Sequence, residues 1–363
     1  MESFNVIYGA GKVGKCVYKI LIEKNIKTDY FVDNFKEGFL FNIPIIKPQE
    51  LPKNSNVFVA ISYNFPDDKN YVKYLRKYVP EVVPETNLLN VKRIISFEDI
   101  LKNFPEIIDY YMNEFIIKPK RLFMQDRNLN FLVYKDKIKN FLKDEKSKCI
   151  FEKIINFYLN PNFKNYIFPD KTIQYFPNDL PLSLENVETF IDCGAYIGDT
   201  LFSAIYFCKN LKNILCFEPN VKNLKSLDRK VKLIKKNINI ILIPAGNYSK
   251  FTKLKILGEG SSCKVVEDEN GSILGYPLDS LNINSIDYIK MDVEGSELEA
   301  LKGAKNIIKI HKPILAVSIY HSFKDLFLIP KYLIENYRHL YDFYIRLHGH
   351  FGLELVLYCI PKN

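Results

Sequence analysis

A short apolar strand that runs into a glycine turn constrains the fold of this chain more than any other feature. The segment reads Thr189-Phe-Ile-Asp-Cys-Gly-Ala-Tyr-Ile-Gly-Asp-Thr200, so that an acid, Asp192, is followed by glycines at 194 and 198. Ligands of open α/β sheets bind at the carboxyl ends of the strands, and glycine lets the backbone approach them closely. Such a turn is often only a tight connection between two elements. Residues at the ends of neighbouring strands are therefore needed before a ligand site can be predicted.

Three later strands of the predicted sheet also end in residues that suit a nucleoside. Glu218 follows Gly194 by 24 residues, close to the roughly 20 residues expected for an acid that accepts ribose hydroxyls. The third strand ends in a small turn at Asn247, where adenine would lie, and the fourth brings Asp292 and Glu294 to the same edge. Because all four strand ends carry residues that suit a nucleoside, the sequence predicts a nucleoside pocket at this edge of the sheet.

Residues from about 188 to 363 resemble the FkbM-type methyltransferases, which use S-adenosylmethionine (SAM) to methylate hydroxyls, often on sugars and polyketides. The segments that carry the resemblance are Phe190–Thr200, Phe217–Pro219, Leu278-Asp279, Ile289–Glu297, Ser318–His321 and Leu347-His348. The resemblance implies that Asp292 and Glu294 line the reaction centre. Together with the strand ends, it implies a cofactor-binding set of Asp192, Cys193, Gly194, Ala195, Gly198, Asp199, Thr200, Glu218, Pro219, Asn220 and Asn247.

Methyl transfer to a hydroxyl needs a base or a metal ion that withdraws the proton. His321 follows the predicted fifth strand beside the expected position of Asp292, and His348 follows a later strand-like segment. We expect one of these two histidines to be the general base, oriented by Asp292 or Glu294. Lys290 is a further candidate proton acceptor if it is desolvated. A divalent cation such as Mg²⁺, held by Asp292, Glu294 and a histidine, is the alternative.

The amino-terminal segment carries a second glycine signature, Gly9-x-Gly11-x-x-Gly14, between a predicted strand and a predicted helix. Asp33 ends the next strand, which fits a dinucleotide-binding fingerprint. The segment also resembles the small nucleotide-sugar-binding domains of bacterial sugar-modifying enzymes. Three interpretations remain open: a nucleotide-sugar site, an interaction domain without a ligand, and an NAD site.

The order of the predicted elements indicates an α/β chain with two Rossmann-like domains joined by helices. Residues 1–90 form the small parallel domain, whose last strand is expected at Val82-Val83. Residues 91–165, including Phe97–Ile116, show helical periodicity and could provide a homodimer interface. Residues 166–363 form the methyltransferase domain, with helices expected near 199–209 and at Ser296–Ile308.

Composition excludes several other classes of protein. The net charge is +9, but 44 lysines and only 7 arginines are spread along the chain. Recognition of bases and phosphates favours arginine, so we expect no nucleic-acid partner. The seven cysteines form no CxxC pair, which predicts reduced thiols and no zinc site. The sequence also shows neither a long apolar run nor a signal peptide, so we expect a cytoplasmic protein without membrane insertion.

The sequence therefore favours a SAM-dependent O-methyltransferase acting on a sugar, in particular a nucleotide-linked sugar of a bacterial capsular or surface polysaccharide. An NAD(P)-dependent sugar oxidoreductase using Gly9–Gly14 is one rival, although it leaves the later strand ends unexplained. A non-catalytic nucleotide-sugar-binding protein is another, but the intact acids at 192, 218 and 292 argue against it.

Overall fold

A computed structural model describes residues 3–61, 68–80, 91–118, 128–257 and 264–362. Within these ranges the chain forms two Rossmann-like α/β domains, each built on a sheet whose strands are mostly parallel. The predicted fold class is therefore confirmed. None of the helices in the described ranges combines the length and apolar character that crossing a membrane requires.

The first sheet has six strands in the described ranges, and only one pair of neighbours is antiparallel. The strands are β1 Phe4–Tyr8, β2 Tyr30–Val32, β3 Gly38–Leu40, β4 Ile43–Ile46, β5 Ser55–Val59 and β6 Arg93–Ile95. Their order is β3-β4-β2-β1-β5-β6, with β3 antiparallel to β4. The sequence did not predict β3, because this short edge strand is mostly exposed and has no apolar alternation. The strand expected at Val82-Val83 lies outside the described residues.

Helices flank this sheet and continue through the segment that follows it. They are α1 Lys12–Glu23, α2 Lys69–Tyr78, α3 Phe97–Asn103, α4 Glu106–Met112, α5 Lys135–Phe141 and α6 Glu145–Leu159. Helices occupy much of residues 97–159, but β6 belongs to the first sheet, so that sheet extends past the predicted domain end at residue 90. The predicted helical stretch Phe97–Ile116 is not continuous. Pro105 divides it, because proline disfavours helical backbone at the preceding residue, here Phe104.

The second domain contains a seven-stranded sheet and a smaller four-stranded one. Its strands are β7 Thr189–Cys193, β8 Asn213–Phe217, β9 Asn239–Ile243, β10 Ala245–Asn247, β11 Thr252–Leu257, β12 Lys264–Glu267, β13 Ile273–Tyr276, β14 Tyr288–Met291, β15 Ile314–Ser318, β16 Tyr341–Leu347 and β17 Leu355–Pro361. The large sheet has the order β16-β17-β15-β14-β7-β8-β9, in which only β17 is antiparallel to its neighbours. The carboxyl ends of β7, β8, β14 and β15 consequently meet at one edge.

The helices of the second domain are α7 Asp199–Phe207, α8 Val221–Val231, α9 Glu297–Lys302, α10 Lys305–His311 and α11 Asp325–Tyr337. The sequence predicted one helix over Ser296–Ile308, which was wrong, because Gly303 separates α9 from α10. A Cβ at Gly303 would lie 2.1 Å from the carbonyl oxygen of Tyr248. The break therefore lets the chain approach the four-stranded sheet closely.

Polar contacts join the elements before residue 166 to the second domain, among them the following. The guanidinium of Arg346 in β16, 1% exposed, pairs with Asp144 at 2.7 Å and with Asp179 at 2.8 Å, and Asp144 caps α6. The hydroxyl of Tyr71 in α2 lies 2.8 Å from Oγ of Ser203 in α7. The first domain thus packs on the helix that follows the glycine turn.

Candidate active site

The glycine turn after β7 is shaped by close backbone contacts. Gly194 has a φ of +84°, and a Cβ there would lie 1.9 Å from the carbonyl oxygen of Asp292. Its amide and that of Ala195 donate to the carbonyl of Phe217 at 3.0 and 2.9 Å. The sequence therefore needs glycine at 194, because a side chain would separate the loops that follow β7 and β14.

A buried ion pair lies directly beneath this turn. Nζ of Lys290 is 3.1 Å from Oδ1 of Asp192, and their side chains are 3% and 0% exposed. The same ammonium donates to the carbonyl of Gly194 at 2.5 Å. Burial opposes its charge, but the carboxylates of Asp192 and Asp292 prevail and raise the pKa of Lys290 above its ordinary value. Lys290 is desolvated as expected, yet these carboxylates keep it protonated, which opposes the predicted role as proton acceptor.

The predicted ribose-binding acid, Glu218, is held by the chain around it. Its carboxylate accepts from the amides of Tyr196 and Asn220, each at 2.8 Å. Burial raises the pKa of Glu218, while these amides oppose the rise. The side chain of Asn220 caps α8 by accepting from the amides of Lys222 and Asn223, so it serves the helix rather than a ligand.

Asn247 at the end of β10 has an unsatisfied amide. The side chain is 2% exposed, and neither its Nδ2 nor its Oδ1 has a hydrogen-bond partner among the described residues. Buried amides are almost always paired, so both atoms are available to a ligand. A carboxamide can bond to the N6 and N7 edge of adenine with one donor and one acceptor.

The other predicted cofactor residues frame the turn. The side chains of Cys193, Ala195 and Thr200 are buried. Asp199 begins α7 directly after Gly198, whose φ of +100° suits glycine. Burial raises the pKa of Asp199, although Lys290 opposes the rise. Pro219 is half-buried at the end of β8.

An imidazole surrounded by carboxylates lies next to the turn. Nε2 of His321, beyond the end of β15, is 3.4 Å from Oδ1 of Asp292 and 3.4 Å from Oε2 of Glu294. On the other side of the ring, Nδ1 lies 3.1 Å from Oε1 of Glu297. The predicted grouping of His321 with Asp292 and Glu294 is therefore present in the structure.

Glu297 is a member of this cluster that the sequence did not indicate. It is fully buried and its Oε1 accepts from the amides of Val293 at 2.8 Å and Gly295 at 3.3 Å. An acid in the first turn of a predicted helix usually has the ordinary role of opposing the helix dipole. Only the tertiary structure shows that this one turns inward, towards His321.

Further polar residues come from distant parts of the chain. The hydroxyl of Tyr175 donates to Oδ2 of Asp292 at 2.9 Å, and Nε2 of Gln174 donates to Oε2 of Glu354 at 2.6 Å. Tyr175 lies in the segment between α6 and β7. Its path across the carboxyl ends of the strands could not be predicted from local sequence.

Strained backbone accompanies the cluster. Four non-glycine residues next to the glycine turn or in the polar cluster have left-handed φ values: Tyr175 at 66°, Tyr196 at 46°, Glu294 at 54° and Glu354 at 55°. Each such residue costs on the order of 1–3 kcal/mol, and conformations of this kind concentrate at functional sites. Their positions support a site at this edge of the sheet.

The cluster is rich in buried carboxyl groups. Burial raises the pKa of Glu294 to about 8 and that of Glu354 to about 7, with the charge of Asp292 adding to both shifts. Burial also disfavours charge on His321, but Glu297 and the other carboxylates prevail and raise its pKa well above the ordinary value. A positively charged ligand is therefore favoured here.

The structure does not bring His348 to the acids. Its Nε2 lies 2.9 Å from the hydroxyl of Tyr358, and its Nδ1 lies 3.3 Å from the carbonyl oxygen of Thr172. Burial lowers the pKa of His348 to about 3. Because both ring nitrogens are engaged in the core, the structure opposes the predicted role of His348 as a base.

In the first domain, the glycine signature shapes a tight turn. A Cβ at Gly14 would lie 1.8 Å from the carbonyl oxygen of Gly9, whereas a Cβ at Gly11 would meet no atom within 4 Å. Asp33 accepts from the amide of Ala10 at 2.9 Å, and its other oxygen accepts from two further amides. Asp33 therefore braces the turn, and its predicted contact with ribose hydroxyls stays a prediction.

Comparisons with known proteins indicate a methyltransferase domain in the second half of the chain. Residues 192–343 match the model of the Methyltransferase FkbM domain. The match and the fold support a methyltransferase, and the resemblance noted in the sequence is confirmed over these residues. No curated protein matches the chain.

Solved structures extend the likeness to the whole fold. Methyltransferase FkbM from Methylobacillus flagellatus KT has 22% sequence identity and a TM-score of 0.53, covering 98% of this chain and 90% of that chain. The two-domain fold is thus shared over nearly the full length. A putative rRNA-methylase from Clostridium thermocellum has 14% identity and a TM-score of 0.33, covering 48% of this chain and 86% of that chain. This lower score supports no further conclusion.

Proposed function

We propose that this protein is a SAM-dependent O-methyltransferase that methylates a hydroxyl of a sugar. The observation that carries the proposal is the placement of His321 and Asp292 at the ends of adjacent strands, beside the glycine turn within the FkbM match. The acids, the turn and the imidazole then share the edge where ligands of such sheets bind.

The residues present fit SAM. The unpaired amide of Asn247 suits adenine. Glu218, whose Oε1 accepts from Asn220 and Asn223, can accept a ribose hydroxyl through the remaining lone pair of Oε2. Bound SAM supplies a methyl group on a positively charged sulfur. The anionic surroundings of Asp292 and Glu294 favour that charge.

The reaction forms a bond between the acceptor oxygen and the methyl carbon while the bond between carbon and sulfur breaks. The electron pair of the broken bond stays on sulfur, and the hydroxyl proton has to leave. We assign proton withdrawal to the cluster of Asp292, Glu294 and His321, because these groups contact one another at the carboxyl ends of adjacent strands. His348 has no part in this step.

A sugar is proposed as the acceptor because hydroxyl-binding groups surround the cluster. Tyr175, Gln174 and Glu354 offer donors and acceptors beside Asp292, and most are buried or half-buried. A nucleotide-linked sugar of a bacterial surface polysaccharide is our specific proposal, with the first domain as its nucleotide-binding part. We place the reaction in the cytoplasm, in line with the six unpaired cysteines of the described residues.

The test combines calorimetry with a methylation screen of the full chain. SAM and its demethylated product are expected to bind, and labelled methyl is expected to pass to a nucleotide sugar. His321→Asn should lower turnover at least about 100-fold with little change in SAM affinity, in line with general-base effects. His339→Asn, at an exposed histidine, is the matched control. Absence of SAM binding, or full turnover by His321→Asn, would contradict the proposal.

A further inference from the structure

Four buried polar atoms without a hydrogen-bond partner converge beside the methyl-transfer site. They are Oδ1 of Asp292, Oε2 of Glu297, and Nδ1 and Nε2 of His321. Glu297 is fully buried and the side chain of His321 is 7% exposed. The contacts between these groups are short, but they do not have hydrogen-bond geometry. Since each such atom costs about 1–3 kcal/mol to leave unpaired, the arrangement indicates a missing ligand.

The spacing of these atoms suits a metal ion. One ligand atom from each of Asp292, Glu297 and His321 lies within 4.8 Å of the other two. Ligands at roughly 2.0–2.4 Å from a cation lie about 3–5 Å apart. The three side chains therefore need only small movements to reach a shared ion.

The local charge also favours a cation. Three carboxylates, those of Asp292, Glu294 and Glu297, contact a single imidazole. Lys290, the ammonium beneath the turn, is already paired with Asp192. Buried carboxylates without compensating charge are costly, so a second positive charge would stabilise the cluster.

We propose that Asp292, Glu297 and His321 bind one divalent cation of the Mg²⁺ or Mn²⁺ class. Two carboxylates and one imidazole form a mainly hard ligand set, and three protein ligands leave positions for water or a substrate hydroxyl. The sequence had placed Glu294 in the ligand set. The structure instead favours Glu297, which is fully buried, whereas the side chain of Glu294 is 37% exposed.

The proposed ion has a defined role in the proposed reaction, and only this role rests on the proposed function. A hydroxyl bound to the ion would lose its proton more readily. That proton would leave to solvent while the oxygen takes the methyl group, and Glu294 lies beside the ligand cluster but outside the ligand set. In this role His321 is a ligand of the ion. A loss of turnover in His321→Asn would then fit the loss of a ligand as well as the loss of a base.

The test measures metal binding without SAM or acceptor. The full chain, stripped with a chelator, is titrated with Mn²⁺ by calorimetry and by electron paramagnetic resonance. We expect one site, with competition by Mg²⁺, and at least tenfold weaker binding in Glu297→Gln and His321→Asn. Asp325→Asn is the matched control, because this buried carboxylate pairs with the Ser322 hydroxyl at 2.6 Å and stands outside the ligand set.

Two results would overturn the proposed site: a wild-type chain that binds no Mn²⁺, or Glu297→Gln with unchanged affinity. If Glu297→Gln does not fold, the unfolding temperature of the wild type is compared with and without Mn²⁺. An ion that binds the folded chain raises this temperature, so an unchanged value would overturn the site. Undiminished methyl transfer after exhaustive chelation would refute the role of the ion but not the methyltransferase. Mn²⁺ binding without any methyl transfer would support the metal site and contradict the proposed methyltransferase activity.

Discussion

Replacing Lys290 with methionine tests the view that the ion pair beneath the glycine turn supports the site. Methionine keeps much of the apolar stem but removes the ammonium that lies 3.1 Å from Oδ1 of Asp192. At that separation the attraction is about 5 kcal/mol for an effective dielectric constant of 20. Removing one partner of a buried pair typically costs about 3–5 kcal/mol, because the other charge stays buried.

The assay is a double-mutant cycle in urea, with unfolding followed by circular dichroism. We expect Lys290→Met to lower the free energy of unfolding by about 3–5 kcal/mol and the double variant Asp192→Asn, Lys290→Met to recover about 2 kcal/mol or more. Lys302→Met breaks an exposed pair with Glu299 and should cost at most about 1 kcal/mol. A loss below about 1 kcal/mol for Lys290→Met, or no recovery in the double variant, would refute this reasoning.

Three further outcomes follow from the described contacts. Gly194→Ala should weaken SAM binding at least tenfold and lower the unfolding temperature, because its Cβ would lie 1.9 Å from a carbonyl oxygen. Asn247→Ala should weaken SAM binding about tenfold in calorimetry without loss of stability, since its amide has no partner to lose. Burial raises the pKa of Asp144 and Asp179, but Arg346 at Asp144, and Lys146 with Arg346 at Asp179, prevail and lower both pKa values. Their contribution to stability should therefore be complete above about pH 4 and fall at lower pH.

Each of these outcomes has a clear counter-result. Unchanged SAM affinity in Gly194→Ala or Asn247→Ala would separate that residue from the cofactor site. For the acid-sensitive pair, urea midpoints between about pH 3 and pH 7 should change less in Arg346→Met than in the wild type. Equal pH dependence in the two proteins would contradict the assigned pKa shifts.

The parts of the site that local sequence could predict are those encoded by contiguous residues. The turn at Gly194 and the acid at Asp292 each follow an apolar strand directly, so their position at the sheet edge follows from the strand itself. Glu297 and Tyr175 could not be found in this way. Their roles depend on how a helix start and a distant loop are folded back onto the strand ends.

Two other predicted residues have the expected position along the chain, but the structure gives their side chains partners that the sequence did not show. His348 has the expected position after a strand, but Tyr358 and Thr172 engage its ring in the core. Asp33 also stands where the fingerprint requires, yet its carboxylate bonds to nearby amides, including that of Ala10. A motif fixes the place of a side chain along the chain, whereas the partners around it decide whether it remains available to a ligand.

The contact between α2 and α7 limits how the chain can be shortened or its first domain exchanged. The ring of Tyr78 stacks on Phe202 with centroids 4.4 Å apart, next to the bond between Tyr71 and Ser203. A shortened chain limited to the family-matched residues would expose this aromatic surface on the helix that opens at Asp199. Any exchange of the first domain for another therefore has to preserve the face of α2 that covers Phe202 and Ser203.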